Sequence, residues 1–324
     1  MKLTYSISAD GQDITNKIAD RLLSLTIIDE RGLDSDTLTI KLDDRDNQIA
    51  LPKQGAELNV ILGVDKQSSD KGIYIVDEVI ITGTPDTLEI RCKAADMRTS
   101  LKERKTKSWD KETLGAILEA VASNHGLTPS IAPEFSSIAI EHIDQTNESD
   151  LHLITRLAKE YDAVGKVAAS HLLFTTKGAS KSASGKQLPR TVVKKTQVSD
   201  FQVVIADRGK YQSAQAYWHE LTTGERISVT VGAEPPLLSI KHTYNKEADA
   251  KRAAQAKLDA LRRGTSSGSI TMPCTDKVLA IMAEGTLVLE GFREGVAGEW
   301  VVTRSQYDLS SSGLIVSVDF ETPK

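Results

Sequence analysis

Six histidines, two cysteines and a short acidic run carry most of the side-chain chemistry open to this 324-residue chain. Between Glu141 and His152 stand His142, Asp144, Glu148, Asp150 and His152, all residue types that ligate metals. Their spacing fits neither H-E-x-x-H nor an EF-hand loop. A helix start explains them better, because carboxylates there meet free N–H groups and the positive end of the dipole. His125, His171, His219 and His242 show no partner spacing. Cys92 and Cys274 are too far apart for a CxxC pair or a four-cysteine zinc site, and each reads as a buried free thiol. The residues therefore point to no metal, no cofactor and no catalytic set.

Two glycine motifs imitate known sites. Gly264 to Gly268 reads GTSSG, the G-x-S-x-G of a nucleophile elbow. That elbow needs a strand before and a helix after, and the local pattern has the reverse, so the motif reads as a helix C-cap and turn. Gly178 to Lys186 reads GASKSASGK, with six residues between its outer glycines and Gln187 after the lysine. A phosphate loop needs four residues and then Ser or Thr, so this is a flexible Gly/Ser loop. Lys177, Lys181, Lys186, Arg190, Lys194 and Lys195 follow one another there without an acid. Such a run is a solvated loop, or a contact for an acidic partner surface or for nucleic acid passing nearby.

The elements that must position these residues are mostly strands. Leu22 to Ile28, Thr37 to Leu42, Glu57 to Gly63, Gly72 to Thr82 and Asp86 to Cys92 alternate apolar and polar positions or are rich in Ile, Val and Leu, with turn residues between them. The period then changes. Leu114, Ile117, Leu118, Val121 and Ala122 mark a helix over Asp110 to Gly126, with Asp110 as its cap. A second helix spans Asp150 to Asp162, capped by Asn147 or Ser149. Ser137 to His142 reads as a strand and Gly165 to Phe174 as a strand pair. Strands return at Phe201 to Ile205, Ser213 to Trp218, Arg226 to Val231 and Leu237 to His242. One alanine-faced helix interrupts them, Lys246 to Arg263, with Asn245 as cap and small side chains suited to close packing on a barrel wall. The expected class is mainly β with α+β: two related antiparallel β-barrel domains joined by an α+β segment. The expected domains are 1–105, 106–200 with the basic loop, and 201–324 with the inserted helix 246–263.

Composition narrows the class of function. Lys and Arg number 40 against 45 Asp and Glu, a net charge of -5, whereas domains that coat nucleic acid carry a basic excess. With 40% apolar and 26% charged residues, the chain is ordinary globular protein. No apolar run is long enough to span a membrane, and the start MKLTYSISADGQD lacks the core of a signal peptide, so folding in a cytoplasm is expected. The sequence also echoes itself. GIYIVDEV, a turn and DTLEIR resemble GEWVVTRS, a turn and GLIVSV; Tyr74 to Leu88 and Trp300 to Leu314 are equally spaced, and Ile90 and Val316 keep the register.

One string stands out, DQTNESDLHLITRLAKEYDAV at Asp144 to Val164. It resembles the signature of the late control protein D family of contractile-tailed phages and prophages. Collinear blocks agree: Asp13 to Gly32, Val76 to Lys102, SWDKETLGAIL at Ser108 to Leu118, and ADRGKYQSAQAYWHE at Ala206 to Glu220. On this resemblance Asp144, Gln145, Thr146, Asn147, Glu148, Ser149, Asp150, Arg156, Trp109 and Trp218 are motif residues with a structural role. The resemblance implies a non-enzymatic baseplate hub of a phage, prophage or R-type bacteriocin. It implies a homotrimeric ring that adapts a six-fold tail tube to a three-fold, membrane-piercing spike. The implied partners are further copies of itself, a separate spike protein, the tube or its initiator, and other baseplate proteins, with the tape measure among the candidates. The implied place is the tail tip of a particle assembled in a bacterial cytoplasm. Two other classes are a tail-associated cell-wall hydrolase, which would need a carboxylate pair or metal site, and a DNA-binding regulator, which the family's name suggests and the charge opposes.

Overall fold

The computed structural model describes residues 2–32, 36–94, 99–168, 170–178, 180, 187–205, 211–262 and 266–323. Most strands belong to one 13-stranded sheet that draws on both ends of the chain. Alternation builds it. Thr37–Asp43 buries every second residue, and Gly313–Glu321 sends Leu314, Val316, Val318 and Phe320 inward. The strands share one apolar core from Ile7 to Phe320. Among the described residues the pairing is an open path that does not close into a barrel.

Within that sheet the same unit occurs twice. In the first repeat Leu22–Glu30, Thr37–Asp43, Glu57–Val64, Gln67–Thr82 and Thr87–Ala94 lie side by side in the order first, second, fifth, fourth, third. In the second repeat Asp200–Ile205, Ser266–Pro273, Thr286–Glu290, Gly298–Ser310 and Gly313–Glu321 take that same order, every neighbour antiparallel. Each fourth strand carries a register shift at the same place, between Val76 and Glu78 and between Val302 and Arg304. Bulges are retained features of a sheet, so they anchor the correspondence. Val76 faces Cys92 and Val302 faces Phe320; Ile40 faces Ile90 and Ile270 faces Val318; Leu25 faces Ile40 and Phe201 faces Ile270.

The correspondence corrects the echo read from the sequence. Tyr74 and Trp300 match, but Leu88 matches Val316, not Leu314. The first hairpin turns through the four residues between Thr82 and Thr87, and the second through the two between Ser310 and Gly313. Equal spacing in the sequence concealed unequal turns.

The repeats differ in what they carry. In the first repeat six residues of sequence separate the first strand, ending at Glu30, from the second, starting at Thr37. At the same point the second repeat inserts a separate unit. There Ser213–His219, Arg226–Val231 and Leu237–Tyr244 form a three-stranded sheet under the helix Glu247–Arg262. Ala250, Ala254 and Leu258 meet Ala214 and Ala216, so the small side chains bring the helix close to this sheet and not to the large one. The Ala250 N–H bonds the Lys246 carbonyl, which gives Lys246 the flanking position expected for Asn245. Arg263, Gly264 and Thr265, which include the start of GTSSG, lie outside the described residues; Ser266 already begins a strand.

Between the repeats lies an α+β segment with its own core. Its first helix is Leu114–Asn124, capped by Thr113, whose Oγ1 accepts from the Ala116 N–H at 3.1 Å. Asp110 is not the cap. It lies in the strand Arg104–Thr113, which pairs with Ala139–Ser149 and carries the chain up to the helix. Gly126 takes the left-handed conformation at φ 62°, as a residue after a helix C-cap does. The second helix, Asp150–Glu160, starts at Ser149, whose hydroxyl accepts from the His152 N–H at 3.2 Å. Asn147 is not its cap; it sits at φ 47° in the strand irregularity before it.

Candidate functional site

Two places concentrate interactions. The first is the segment that carries the sequence signature. Strands Arg104–Thr113 and Ala139–Ser149 run antiparallel until their register shifts between Gln145 and Glu148, leaving Thr146 and Asn147 in the irregularity. The Asn147 N–H is taken up by Thr106 Oγ1 at 3.1 Å, and Thr146 is exposed. Gln145 is fully buried and donates from Nε2 to the Glu148 carbonyl at 3.0 Å and to Asp150 Oδ1 at 2.8 Å. Glu148 receives a fork from Arg156, Nε to Oε1 at 3.0 Å and Nη2 to Oε2 at 2.7 Å; Nη2 also bonds the Asp144 carbonyl. Trp109, beside Ile143 in the partner strand, is buried under the Lys107 ammonium. The bulge, the fork and the cap together turn a strand into a helix at a fixed angle.

Asp150 is the centre of this knot. Its carboxylate is buried and bonds Lys105 and Gln145, and His125 Nε2 lies 2.7 Å from Oδ2. Burial alone would push its pKa up, but the hydrogen bonds from Lys105, Gln145 and His125 outweigh that and hold it below the ordinary carboxylate value. Ser100 Oγ lies 2.8 Å from His125 Nδ1, so serine, histidine and aspartate stand in a chain. It resembles a catalytic triad in composition only. Lys105 neutralises the aspartate, and a cleft of about 380 Å³ lies apart from it, between the second helix and the inserted unit. The chain of contacts joins the segment around residue 100, the end of the first helix and the start of the second.

The structure thus gathers Trp109, Asp144, Gln145, Thr146, Asn147, Glu148, Ser149, Asp150 and Arg156 in one place. Trp218 is apart, partly buried on the inserted sheet. Lys105 and His125, which hold Asp150, were not singled out from the sequence; they lie 45 and 25 positions from it, and no local pattern marks them. His142 lies between Asp110 and Asp144 on an exposed surface, which raises its pKa through those hydrogen bonds. Among the described residues no three His, Cys, Asp or Glu side chains form a group that could hold a metal. Cys92 and Cys274 are buried and free, and burial pushes their thiols up to about 12 and about 11. In the basic run Lys177 approaches Asp162 and Arg190 pairs with Glu299; Lys181 and Lys186 lie outside the described residues, as does most of the Gly/Ser loop.

The second place is the seam where the repeats join. Strand Gly298–Ser310 of the second repeat pairs with Leu22–Glu30 of the first, from Arg304 opposite Glu30 to Ser310 opposite Ser24. Tyr307, opposite Ile27, is the largest fully buried side chain, and its hydroxyl donates within reach of the carbonyls of Val278, Leu279 and Ile281 at 2.8–3.1 Å. Lys71 of the first repeat packs its ammonium 3.6 Å over the Tyr307 ring and bonds the Leu279 carbonyl. Burial pushes Lys71 down to about 8. Arg304 pairs with Glu30 across the seam. Lys166 of the α+β segment reaches in to Asp29 and Asp36, and Asp29 also accepts the Ala283 N–H. Three parts of the chain are thereby locked at one ammonium. Two carboxylates share it: burial first and then Asp29 push Asp36 up to about 6, while the two acids hold Lys166 charged against its own burial.

The molecule is built around a duplicated sheet, a locked seam and a buried polar knot. Residues 37–313 match the model of the phage tail baseplate hub family, so the chain belongs to that family of structural, non-enzymatic tail proteins. It is 33% identical to the probable baseplate hub protein of Escherichia phage P2, over 98% of this chain and 92% of the relative. The 43 kDa tail protein of prophage MuSo2 from Shewanella oneidensis has the same fold, with a TM-score of 0.72 at 14% identity over 99% of both chains. The E. coli c3393 protein, a component of the type VI secretion system similar to bacteriophage T4 tail proteins gp27 and gp5, aligns with a TM-score of 0.58 at 11% identity, over 100% of this chain and 77% of that one. The protein is a baseplate hub of a phage tail, a constituent of the virion. Nothing in the family supports a wall hydrolase.

Proposed function

We propose that the hub is a homotrimeric ring that joins the six-fold tail tube to a three-fold spike carried by a separate polypeptide. The observation that carries this reading is the duplication: two units of one strand order in each chain make six similar units from three chains. Closed rings repeat one patch per subunit, so a six-fold face and a three-fold face need such a device. The tube or its initiator, other baseplate proteins and the tape measure are the further contacts of this reading. The particle is assembled in a bacterial cytoplasm, for a phage, prophage or R-type bacteriocin, and works at the tail tip. The domains 1–105, 106–200 and 201–324 serve as ring unit, peripheral support and second ring unit, with the signature residues acting as the support's internal brace and not as a site of chemistry.

Light scattering on the hub co-purified with its neighbouring spike protein tests the reading. Three hub chains with three spike chains are expected. A complex of any other hub stoichiometry, or no complex at all, would overturn it.

A further inference from the structure

The seam inside the chain has a vacant counterpart. It pairs the fourth strand of the second repeat with the first strand of the first repeat. Exchanging the repeats gives the fourth strand of the first repeat and the first strand of the second. Both present open edges. Among the described residues, Gln67–Thr82 pairs beyond Asp77 only with Thr87–Ala94, and Asp200–Ile205 pairs only with Ser266–Pro273 and ends the sheet.

Burial shows what is missing at each. Ile81 corresponds to Tyr307; Tyr307 is 1% exposed and Ile81 is 60% exposed. Phe201 corresponds to Leu25; Leu25 is 0% exposed and Phe201 is 42% exposed. Val204 and Ile205 beside it are exposed as well. Natural sheets guard open edges with charge, proline or bulges; past the bulge and Glu78 on one edge and past Asp200 on the other, Ile81, Phe201, Val204 and Ile205 stay exposed. They are built to be covered.

We propose that the edge Asp200–Ile205 of one copy pairs antiparallel with Glu78–Thr82 of a second copy, repeating the internal seam between subunits. The occupant is a second copy of this chain because the chain already holds the completed version of the same joint. The register transfers directly. Tyr307 opposite Ile27 becomes Ile81 opposite Val203, and Gln306 opposite Ile28 becomes Ile80 opposite Val204. Each copy offers one edge and receives on the other, so the contact is heterologous and propagates until the ring closes. The inference rests on the ring proposed above for the number of copies, but the choice of edges stands on the repeat alone.

Paired cysteines test it in the full chain, co-purified with the spike protein. Val204→Cys with Ile80→Cys should give, on oxidation, a reducible ladder that stops at three chains. Each single variant should give none. The control is Ile28→Cys with Gln306→Cys, the same pair in the internal seam, which should oxidise within one chain. If the control closes and the complex still weighs as three hub chains, yet the 80/204 pair forms no intermolecular bond, the edge assignment is wrong while the ring survives. If the hub stays a single chain in the complex, both fall. Ile81→Lys adds a second readout: thermal stability of the dilute chain should stay within a degree or two, while three-chain assembly is lost. Assembly that survives Ile81→Lys unchanged would also overturn the edge assignment.

Discussion

The two repeats share strand order, bulge position and core register, yet equivalent positions have opposite environments. Ile40 and Ile270 are both 1% exposed, because each strand has a paired neighbour on both sides. Tyr307 and Ile81, or Leu25 and Phe201, differ because only one member of each pair has a neighbouring strand on its outer side. Burial here is set by what stands next to a unit more than by the unit itself. The difference extends to charge. Asp29, held by Lys166 and by the Ala283 N–H, corresponds to the exposed Ile205. The first repeat uses that position to lock the chain to itself, and the second leaves it apolar.

The sharpest way to break the comparison is to truncate the buried member of a pair. Tyr307→Ala should cost about 3–5 kcal/mol, as large aromatic deletions in cores do, because it also strips the donor shared by three carbonyls. Ile81→Ala, the same position in the other repeat, should leave the unfolding midpoint of the dilute chain almost unchanged. Equal losses in denaturant titrations would mean that the repeats are not related as described.

Lys166→Met tests the lock. Removing one partner of a buried ion pair costs about 3–5 kcal/mol, and that loss should appear in full at about pH 8. Asp36 titrates higher in the folded chain than its ordinary 3.8, so it takes up a proton on folding, and its opposition to folding grows as pH rises from 3.8 toward about 6. Lys166 offsets that opposition. Its own raised pKa keeps its contribution intact below the ordinary lysine value of 10.5 and lets it fade only as pH climbs through the folded value. The deficit of Lys166→Met should therefore shrink at about pH 5, where Asp36 is protonated. A deficit independent of pH, measured by urea unfolding, would show that the ammonium merely fills space.

Leu25→Ala comes next, with a cost of about 2–5 kcal/mol against a small effect for Phe201→Ala in the dilute chain. The finest test uses positions that should agree. Ile40→Val and Ile270→Val remove the same methylene from equally buried sites, and each should cost about 0.5–1.5 kcal/mol. A gap of more than about 1 kcal/mol between them in matched melts would show that the two cores pack differently.

The legible and hidden parts of this molecule separate by distance along the chain. Alternation exposes the strands of the first repeat, because one buried face leaves its mark on every second residue; in the second, Phe201 to Ile205 and the final hairpin are legible, but Ser266–Pro273 is not. The helix Asp150–Glu160 and its Ser149 cap were legible for the same reason, since a cap acts within three residues. Asp110 misled because the strand runs on through Lys111 to Thr113, and any Asp ahead of a helical pattern resembles a cap. The strand expected over Ser137 to His142 runs from Ala139 to Ser149, because the acids that look like a helix start are themselves strand. The identity of the two strand orders was hidden by the inserted unit, which separates the first two strands of the second repeat by sixty residues. At the knot, Asp150 announced itself, but Lys105 and His125 reach it only through the folded α+β core.

That inserted unit has a consequence of its own. The two repeats differ most by one excursion, the sheet and helix over residues 211–262, inserted where six residues separate Glu30 from Thr37 in the first repeat. In a closed assembly of alternating copies it would occur at every second station. A partner that feels only the shared strands would count six, and one that also touches the excursion would count three. The chain would thus present two different periodicities to two different neighbours while using a single set of contacts to hold itself together.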